Sequence, residues 1–283
     1  MDKPIIAQRE VTQYILQRFG LRAKKALGQN FLVNEQIVQG IAAAANIGPG
    51  DTVLEIGPGI GTLTQALAET GAIVKAVELD KALLPVLAKT LEGYENITVV
   101  NGDILKVNIP EIVGDKPFAV AANLPYYITT PIIFALLEQH LPLTKLVMMV
   151  QKEVGERLVA KPGGKDYGAL SVSLQYYMQP QIAFYVPAAS FIPPPNVESA
   201  VVVCTPHKQP PVKVNEKLFF QVVKAAFSVR RKMLSNALRN IGLDGNQVKT
   251  WMAEAGLDPK RRGETLTIEE FGLLTNAYEQ LFS

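Results

Sequence analysis

Residues 52–61 read Thr-Val-Leu-Glu-Ile-Gly-Pro-Gly-Ile-Gly, so a short apolar run leads into three glycines within five positions. The run at 52–56 is typical of a strand, and the residues after Gly61 have a helical pattern. Glycines in such a turn let the backbone bend tightly and approach a ligand, while the helix offers free N–H groups. The stretch indicates a nucleotide-like cofactor site; an ordinary strand-to-helix turn is the structural alternative.

On both sides of this stretch, from about residue 34 to 150, short apolar runs alternate with helical patterns. This alternation is typical of a parallel sheet with crossover helices. The predicted strands are residues 52–56, 72–79, 97–100, 118–123 and 145–150, and the predicted helices are 62–69, 81–91 and 131–139. Pro85 predicts either a late start or a kink in the second helix.

Two further β-like runs, at 181–186 and 199–205, are joined by a proline-rich stretch instead of a helix. Adjacent strands without a crossover helix favour an antiparallel hairpin at one edge of the sheet. We therefore predict an α/β, Rossmann-like domain over residues 1–206, with a mostly parallel sheet and an antiparallel edge hairpin.

Residues 207–283 read as helical after a linker marked by Pro210 and Pro211. Four apolar side chains in this part fall on one helical stripe, which favours a small C-terminal all-α domain. They are Val223, Phe227, Leu234 and Leu238.

Charge is segregated along the chain, although the net charge is only +2. Residues 1–30 carry six Lys/Arg and two Asp/Glu, residues 207–283 carry twelve and eight, and residues 31–206 carry ten and sixteen. Clustered cations attract phosphates and release counterions, so basic ends are compatible with a polyanionic partner. Uneven solvation explains the same pattern equally well.

Cysteine and histidine are scarce, which limits metal and disulfide chemistry. Cys204 lies in an apolar run and reads as a small buried hydrophobe, so we expect no disulfide within the chain. With only His140 and His207 beside it, the spacings of a zinc site are absent, and we predict no metal. The sequence has no signal-like or membrane-spanning apolar run, so we expect a cytoplasmic protein without membrane contact.

Two acidic side chains follow predicted strands and are candidates for cofactor contacts. Glu78 ends the second strand, where a carboxylate can accept hydrogen bonds from ribose hydroxyls. Such a residue serves NAD and S-adenosylmethionine equally well. Asp103 follows the third strand and is placed to accept a hydrogen bond from an adenine amino group, although a lone loop aspartate is more often a turn residue.

The motif Asn123-Leu124-Pro125-Tyr126-Tyr127 ends the predicted fourth strand, at the edge where α/β sheets bind ligands. An adenine amino group is a poor nucleophile because its lone pair is delocalised into the ring. Acceptance of its two hydrogens by the Asn123 side-chain oxygen and the Leu124 carbonyl would let the nitrogen pyramidalise toward a methyl sulfonium. Tyr126 would stack on the flipped base. A chance turn is the alternative.

Six motifs occur in an order that is typical of one family. They are GQNFL (28–32), EIGPGIG (55–61), GDIL (102–105), NLPYY (123–127), FIPPPNVESAV (191–201) and AFSVRRKMLSNAL (226–238). In these residues the chain resembles the KsgA/RsmA family of ribosomal RNA adenine dimethyltransferases, over nearly its whole length. The resemblance implies a class I methyltransferase sheet and a helical RNA-binding domain at 207–283.

The resemblance also implies roles for individual residues. Residues 1–33 would close over S-adenosylmethionine, and Tyr126 and Phe191 would sandwich the target base; a packing role is the alternative for Phe191. The implied cofactor contacts are Asn30, Leu32, Gly57, Gly59, Glu78, Asp103 and Asn123. The implied RNA contacts are Lys24, Lys25, Arg230, Arg231 and Lys232.

The function implied by the family is dimethylation of two adjacent adenines near the 3′ end of small-subunit (16S) ribosomal RNA. We expect a monomer that acts on a pre-ribosomal particle during ribosome biogenesis. Three alternatives remain at this point: a large-subunit adenine methyltransferase of the macrolide-resistance type, a non-catalytic RNA-binding assembly factor, and an NAD-dependent oxidoreductase.

Overall fold

The computed structural model describes residues 3–229 and 231–282, except for the side chain of Lys25. The strands are β1 (Phe31–Leu32), β2 (Thr52–Ile56), β3 (Ile73–Glu78), β4 (Ile97–Asn101), β5 (Phe118–Asn123), β6 (Leu143–Gln151), β7 (Met178–Val186), β8 (Phe191–Ile192) and β9 (Ser199–Pro206). The helices are α1 (Arg9–Arg18), α2 (Glu35–Ala45), α3 (Thr62–Glu69), α4 (Leu84–Thr90), α5 (Ile109–Val113), α6 (Thr129–Glu138), α7 (Lys152–Val159), α8 (Ala169–Tyr177), α9 (Glu216–Phe227), α10 (Leu234–Ala237), α11 (Gly245–Glu254) and α12 (Ile268–Phe282).

Seven of the described strands form one sheet in the order β4-β3-β2-β5-β6-β9-β7. The first five strands in this order are parallel, and Thr52 of β2 pairs with Ile73 on one side and Phe118 on the other. Strand β2 is buried at every residue, as expected for a parallel strand covered on both faces. The predicted parallel sheet is confirmed, and β2 and β5 have their predicted bounds.

The antiparallel part of the sheet lies at the edge formed by β9 and β7. Strand β9 runs antiparallel to β6, with Met148 opposite Val202, and β7 is the outermost strand beside β9. The predicted edge hairpin is therefore confirmed. Cys204 of β9 is fully buried, and burial raises the pKa of its thiol to about 12.

The helix that contains Pro85 begins later than residue 81, which is one of the two outcomes predicted for this proline. Residues Lys81–Leu83 form a 3₁₀ turn, and α4 begins at Leu84 with Pro85 in its first turn. At that position the proline removes an N–H that has no partner within a helix.

A two-residue ladder outside the main sheet joins β1 to β8 in antiparallel orientation. Phe31 pairs with Ile192 and Leu32 with Phe191, and the Val33 N–H donates to the Ser190 carbonyl at 2.7 Å. The segment before α2 is thus attached to the proline-rich stretch between β7 and β9.

The chain divides into two compact units. One unit runs through Gly155 and includes Gln181–Pro206; the other contains Glu156–Pro180 and the residues from His207 onward. The prediction placed 156–180 in the sheet domain, and the structure corrects this point. The reason is aromatic packing: the Tyr167 hydroxyl donates to the Leu266 carbonyl at 3.0 Å, and Tyr176 packs on Phe219.

The helical unit has its own apolar core around Trp251, whose indole N–H donates to the Leu274 carbonyl at 2.7 Å. The four side chains of the predicted stripe all contribute to this core, but they do not lie on one helix. Val223 and Phe227 lie on α9, which ends at Phe227, whereas Leu234 is the first residue of α10.

No helix among residues 3–229 and 231–282 is both long and apolar enough to cross a membrane.

Gly263→Ala should destabilise the helical unit by about 1–3 kcal/mol, because the new Cβ would overpack a close backbone contact. An added Cβ would lie 2.6 Å from the Ala226 carbonyl oxygen. Gly245→Ala is the matched control, since nothing lies within 4 Å of its added Cβ and alanine favours helix α11. Urea unfolding measures both variants; equal stability of the two would contradict this packing.

Candidate active site

A cavity opens at the edge of the sheet where β2, β3 and β5 end. It encloses about 1100 Å³ of free space with its open mouth included, which is enough for a nucleoside-sized ligand. Each residue predicted to bind the cofactor lines this cavity: Asn30, Leu32, Gly57, Gly59, Glu78, Asp103 and Asn123. Leu124 and Tyr126 line it as well. The parallel register therefore gathers side chains that are far apart in sequence.

The glycine turn after β2 needs the conformational freedom of glycine. Gly57, Gly59 and Gly61 all have positive φ, at 70°, 63° and 94°. No atom lies within 4 Å of a Cβ added at Gly57, and that residue lines the cavity. A side chain there would be strained and would project into open space, so glycine leaves the backbone accessible to a ligand.

The carboxylate of Glu78 is buried and held by the backbone on both of its oxygens. The Gly59 N–H donates to Oε2 at 3.1 Å, and the Asp80 N–H donates to Oε1 at 2.7 Å. Burial raises the pKa of Glu78, and these backbone hydrogen bonds oppose the rise. The carboxylate is therefore fixed in orientation, with lone pairs left over for hydroxyl donors.

Asp103 lies in the turn after β4, as predicted. Its Oδ1 accepts from the Leu105 N–H at 3.1 Å, and Lys106 Nζ lies 3.6 Å from Oδ2. The side chain thus caps its own turn and also lines the cavity. Gly102 precedes it, and a Cβ there would lie 2.5 Å from Val107 Cγ1.

Asn123 and Leu124 present two acceptor oxygens at the end of β5. Asn123 Nδ2 donates to the Asn30 carbonyl at 3.4 Å, and the Leu124 N–H donates to the Met149 carbonyl at 3.1 Å. Within the described part of the chain, no group donates to Asn123 Oδ1 or to the Leu124 carbonyl. One N–H of the Asn123 carboxamide and the Leu124 N–H are engaged, and the two acceptor oxygens remain for a ligand.

The two tyrosines of the motif differ in environment. The Tyr126 hydroxyl is 2.7 Å from Ser199 Oγ, and burial raises the pKa of this tyrosine. Tyr127 is 55% exposed at the cavity mouth. Its ring packs beside Gly28, where an added Cβ would lie 3.3 Å from Tyr127 Cδ1. Sequence reasoning did not single out Tyr127; its place beside Tyr126 was the available signal.

Phe191 is the one predicted catalytic residue that the cavity does not include. It is 1% exposed and packs in the core of the sheet unit, where it pairs with Leu32. In this conformation Phe191 has the packing role that the sequence left open as its alternative.

The predicted RNA-binding residues fall into two groups. Arg231 and Lys232 are exposed just before α10, whereas Arg230 lies outside the described residues. The Lys24 ammonium forms an ion pair with Asp80 Oδ1 at 2.8 Å. Nothing is described of the Lys25 side chain.

Glu55 is a cavity residue that sequence reasoning did not select, although it opens the glycine motif. It is 1% exposed, and its Oε2 has no hydrogen-bond partner within the described residues. Burial raises the pKa of Glu55 to about 8, and the nearby charge of Glu78 adds to the rise. A buried carboxyl with an unpaired oxygen at a cavity wall is suited to a cationic donor. In the described residues, no group of three or more His, Cys, Asp or Glu could hold a metal ion.

A sheet of this order, with a glycine turn after β2 and acceptors at the ends of β3, β4 and β5, is the architecture of class I methyltransferases. A solved dimethyladenosine transferase from Plasmodium falciparum is similar, with a TM-score of 0.73 and 29% identity, over 88% of this chain and 98% of its own. The 23S rRNA methyltransferase ErmE is also similar, with a TM-score of 0.68 and 26% identity, over 89% and 100%.

The model of the family "Ribosomal RNA adenine dimethylase" matches residues 20–280. The chain is 47% identical over 282 residues to the Ribosomal RNA small subunit methyltransferase A of Bacillus cytotoxicus, covering 96% of this chain and 97% of that protein. Identity to the protein of that name from Alkaliphilus metalliredigens is 48% over 282 residues, covering 97% and 98%.

This chain belongs to the ribosomal RNA adenine dimethylase family. The resemblance seen in the six motifs is thereby confirmed, and the chain is a methyltransferase. Membership implies a methyl donor and a ribosomal RNA substrate.

Glu55→Gln should make the free energy of unfolding of the ligand-free protein less dependent on pH. The folded carboxyl keeps its proton up to a pKa of about 8, whereas its ordinary value is 4.5. Its stabilising contribution is therefore complete below pH 4.5 and is lost as the pH rises to about 8. Urea unfolding across this range should show a fall on the order of 4–5 kcal/mol in the wild type that the variant lacks.

Glu92→Gln is the control, because Glu92 is exposed and does not line the cavity. An equal fall in the wild type and in Glu55→Gln would mean that Glu55 does not titrate in the proposed way.

Proposed function

We propose that this methyltransferase dimethylates the N6 amino groups of two adjacent adenines near the 3′ end of small-subunit ribosomal RNA, with S-adenosylmethionine as methyl donor. It acts as a monomer in the cytoplasm, on a pre-ribosomal particle during ribosome biogenesis. The observation that carries the proposal is the pair of free acceptors, Asn123 Oδ1 and the Leu124 carbonyl, at one wall of the cavity.

The charge of the cavity favours S-adenosylmethionine over a dinucleotide. Glu55, Glu78 and Asp103 line it, and no lysine, arginine or histidine is among its lining residues in the described part of the chain. A pyrophosphate would be repelled by the carboxylates of Glu78 and Asp103, whereas a ligand with a sulfonium and an ammonium group is attracted and also favours the ionised form of Glu55. This electrostatic pattern argues against the NAD-dependent alternative.

We assign the parts of the cofactor to residues that fit them chemically. The backbone at Gly57 and Gly59 faces the methionine part, and the unpaired Glu55 Oε2 accepts from its ammonium group. The fixed carboxylate of Glu78 accepts from the ribose hydroxyls. Asp103 accepts from the adenine amino group, and Asn30 and Leu32 cover the site.

When bound, S-adenosylmethionine supplies an electrophilic methyl group. Asn123 Oδ1 and the Leu124 carbonyl accept the two hydrogens of the target amine and direct its lone pair away from the ring. The hydrogen bond from Asn123 Nδ2 to Asn30 orients the carboxamide before the base arrives. Preorganised acceptors of this kind need no reorganisation during transfer, and no general base is required for the attack.

Tyr126 is the platform for the flipped adenine. Its hydroxyl contact with Ser199 of β9 ties the ring to the sheet, so its position does not depend on the substrate. A stacking role for Phe191 requires the short β1–β8 ladder to separate, because the ring is enclosed in the core.

The small subunit is the preferred target because the relatives at 47% and 48% identity carry that name. The similarity to ErmE, a 23S rRNA methyltransferase, is weaker at 26% identity. We propose that Arg231 and Lys232, with Arg230, bind RNA phosphates and that the helical unit supplies this binding surface.

Tritium transfer from labelled S-adenosylmethionine to undermethylated small subunits, followed by mapping of the modified bases, tests the proposal. Asn123→Ala should reduce transfer at least about 100-fold, because one acceptor for the amine is lost. RNA binding by this variant should stay unchanged, since no phosphate contact is altered. Asn246→Ala, at an exposed site in α11, is the control.

Retained activity of Asn123→Ala would overturn the hydrogen-bonding mechanism. Label in large subunits instead of small subunits would favour the macrolide-resistance type. Absence of transfer by the wild type, with intact RNA binding, would favour the non-catalytic assembly factor.

Tyr126→Ala should lower kcat/KM for the RNA by about 10- to 100-fold, because a base-stacking surface is removed. Tyr126→Phe keeps the ring and loses only the contact with Ser199, so we expect less than about a tenfold loss. Tyr14→Ala is a matched control, since Tyr14 is 57% exposed on α1 and does not line the cavity. Steady-state methylation assays measure all three, and equal losses for Tyr126→Phe and Tyr126→Ala would argue against stacking.

A further inference from the structure

A side-chain network joins the N-terminal segment to the end of β3. The Lys24 ammonium donates to Asp80 Oδ1 at 2.8 Å, and Gln29 Nε2 donates to Asp80 Oδ2 at 3.0 Å. The Lys24 N–H also donates to Gln29 Oε1 at 2.9 Å. Each oxygen of the Asp80 carboxylate therefore binds one side chain of the N-terminal segment. Lys24 precedes the cavity-lining residues 27–32, and Gln29 is one of them.

Asp80 itself is rigidly placed. Its side chain is 7% exposed, against 49% for the side chain of Lys24. Oδ1 also accepts from the Ala82 N–H at 3.1 Å and so caps the 3₁₀ turn before α4. The carboxylate is the fixed partner, and the segment that carries Lys24 and Gln29 is the part that attaches to it.

The network continues to the residues assigned to the cofactor. The Asp80 N–H donates to Glu78 Oε1, and Glu78 Oε2 in turn accepts from Gly59. At the other end of the segment, the Asn30 carbonyl accepts from Asn123. Segment 24–32 is thus hydrogen-bonded at Asp80 and at Asn123, on the two sides of the cavity.

Burial strengthens the contact at Asp80. An ion pair in which one partner is withdrawn from water is screened less than an exposed pair, and a second donor satisfies the other carboxylate oxygen. The exposed pair of Lys89 and Glu92, at 2.6 Å, has neither feature. We therefore expect the Lys24–Asp80 pair to contribute more to stability than the exposed Lys89–Glu92 pair.

We propose that Asp80 is a positioning residue that latches segment 24–32 over the cavity and so retains the bound cofactor. This inference rests on the proposed function for the identity of that cofactor. It gives Lys24 a role within the protein in place of the RNA contact predicted from the sequence. Opening of the latch releases Leu27 to Leu32 from the cavity mouth and allows exchange of the cofactor between successive methyl transfers.

A double-mutant cycle on Asp80→Asn and Lys24→Met tests the latch in the full-length protein. Asparagine still caps the 3₁₀ turn, so the fold is kept. Each single variant should weaken S-adenosylmethionine binding about tenfold, by loss of a charge-assisted hydrogen bond. The double variant should be no weaker than the weaker single variant, and kcat at saturating cofactor should stay within about twofold of the wild type.

Limited proteolysis of the ligand-free variants supplies a second readout, with faster cleavage expected between residues 20 and 30. Glu92→Gln and Lys89→Met form the control cycle and should change neither binding nor cleavage. Additive effects of Asp80→Asn and Lys24→Met, or unchanged binding and cleavage, would overturn the latch. If the wild type binds no S-adenosylmethionine while cleavage still responds, the proposed function fails and the latch stands.

Discussion

The carboxylate of Glu78 accepts one hydrogen bond from Gly59, which joins the turn after β2 to the end of β3, and another from Asp80, which fixes the backbone just after β3. The turn is also held against β3 by the Gly57 N–H, which donates to the Val77 carbonyl at 3.0 Å. Asp80 in turn owes its orientation to the same carboxylate. The cavity wall and the attachment of the N-terminal segment therefore depend on one buried side chain whose ionisation burial opposes.

The N-terminal segment links the cofactor side of the cavity with the substrate side. Asn30 contacts Asn123 through its carbonyl, and Gly28 lies directly against the ring of Tyr127. A positive φ at Gly28 allows this close approach. Under the proposed function, closure over the cofactor and ordering of the NLPYY motif are parts of one packing arrangement, which would couple retention of the cofactor to positioning of the target base.

The sequence was sufficient for features that depend on local pattern. Strands β2 and β5 are mostly apolar and buried, and the residues after them meet at one sheet edge because parallel strands share a direction. Pairings between distant residues were not accessible in this way. The β1–β8 ladder joins Leu32 to Phe191, and no local signal reports that this pairing buries the aromatic ring.

Residues 156–180 were missed for a related reason. Tyr167 lies just before α8 and Tyr176 lies within it, so their local sequence indicates only a helix. The residues that they contact, Leu266 and Phe219, lie much later in the chain. Likewise, Lys24 reads as a free cation until the fold brings Asp80 beside it. The distribution of charged residues along the sequence does not show which of them form ion pairs in the folded protein.

The distribution of charge separates the two tasks that an RNA methyltransferase must perform. A cavity lined by the carboxylates of Glu78 and Asp103 disfavours phosphates, so we do not expect the RNA backbone to follow a base into it. Only an uncharged base, turned out of its strand, is compatible with such a wall. The phosphates must then be held elsewhere, and the exposed Arg231 and Lys232 of the helical unit are suited to that task. Under the proposed function, the acidic cavity would contribute to selectivity in two ways, because it would attract a cationic methyl donor and disfavour the charged parts of the RNA.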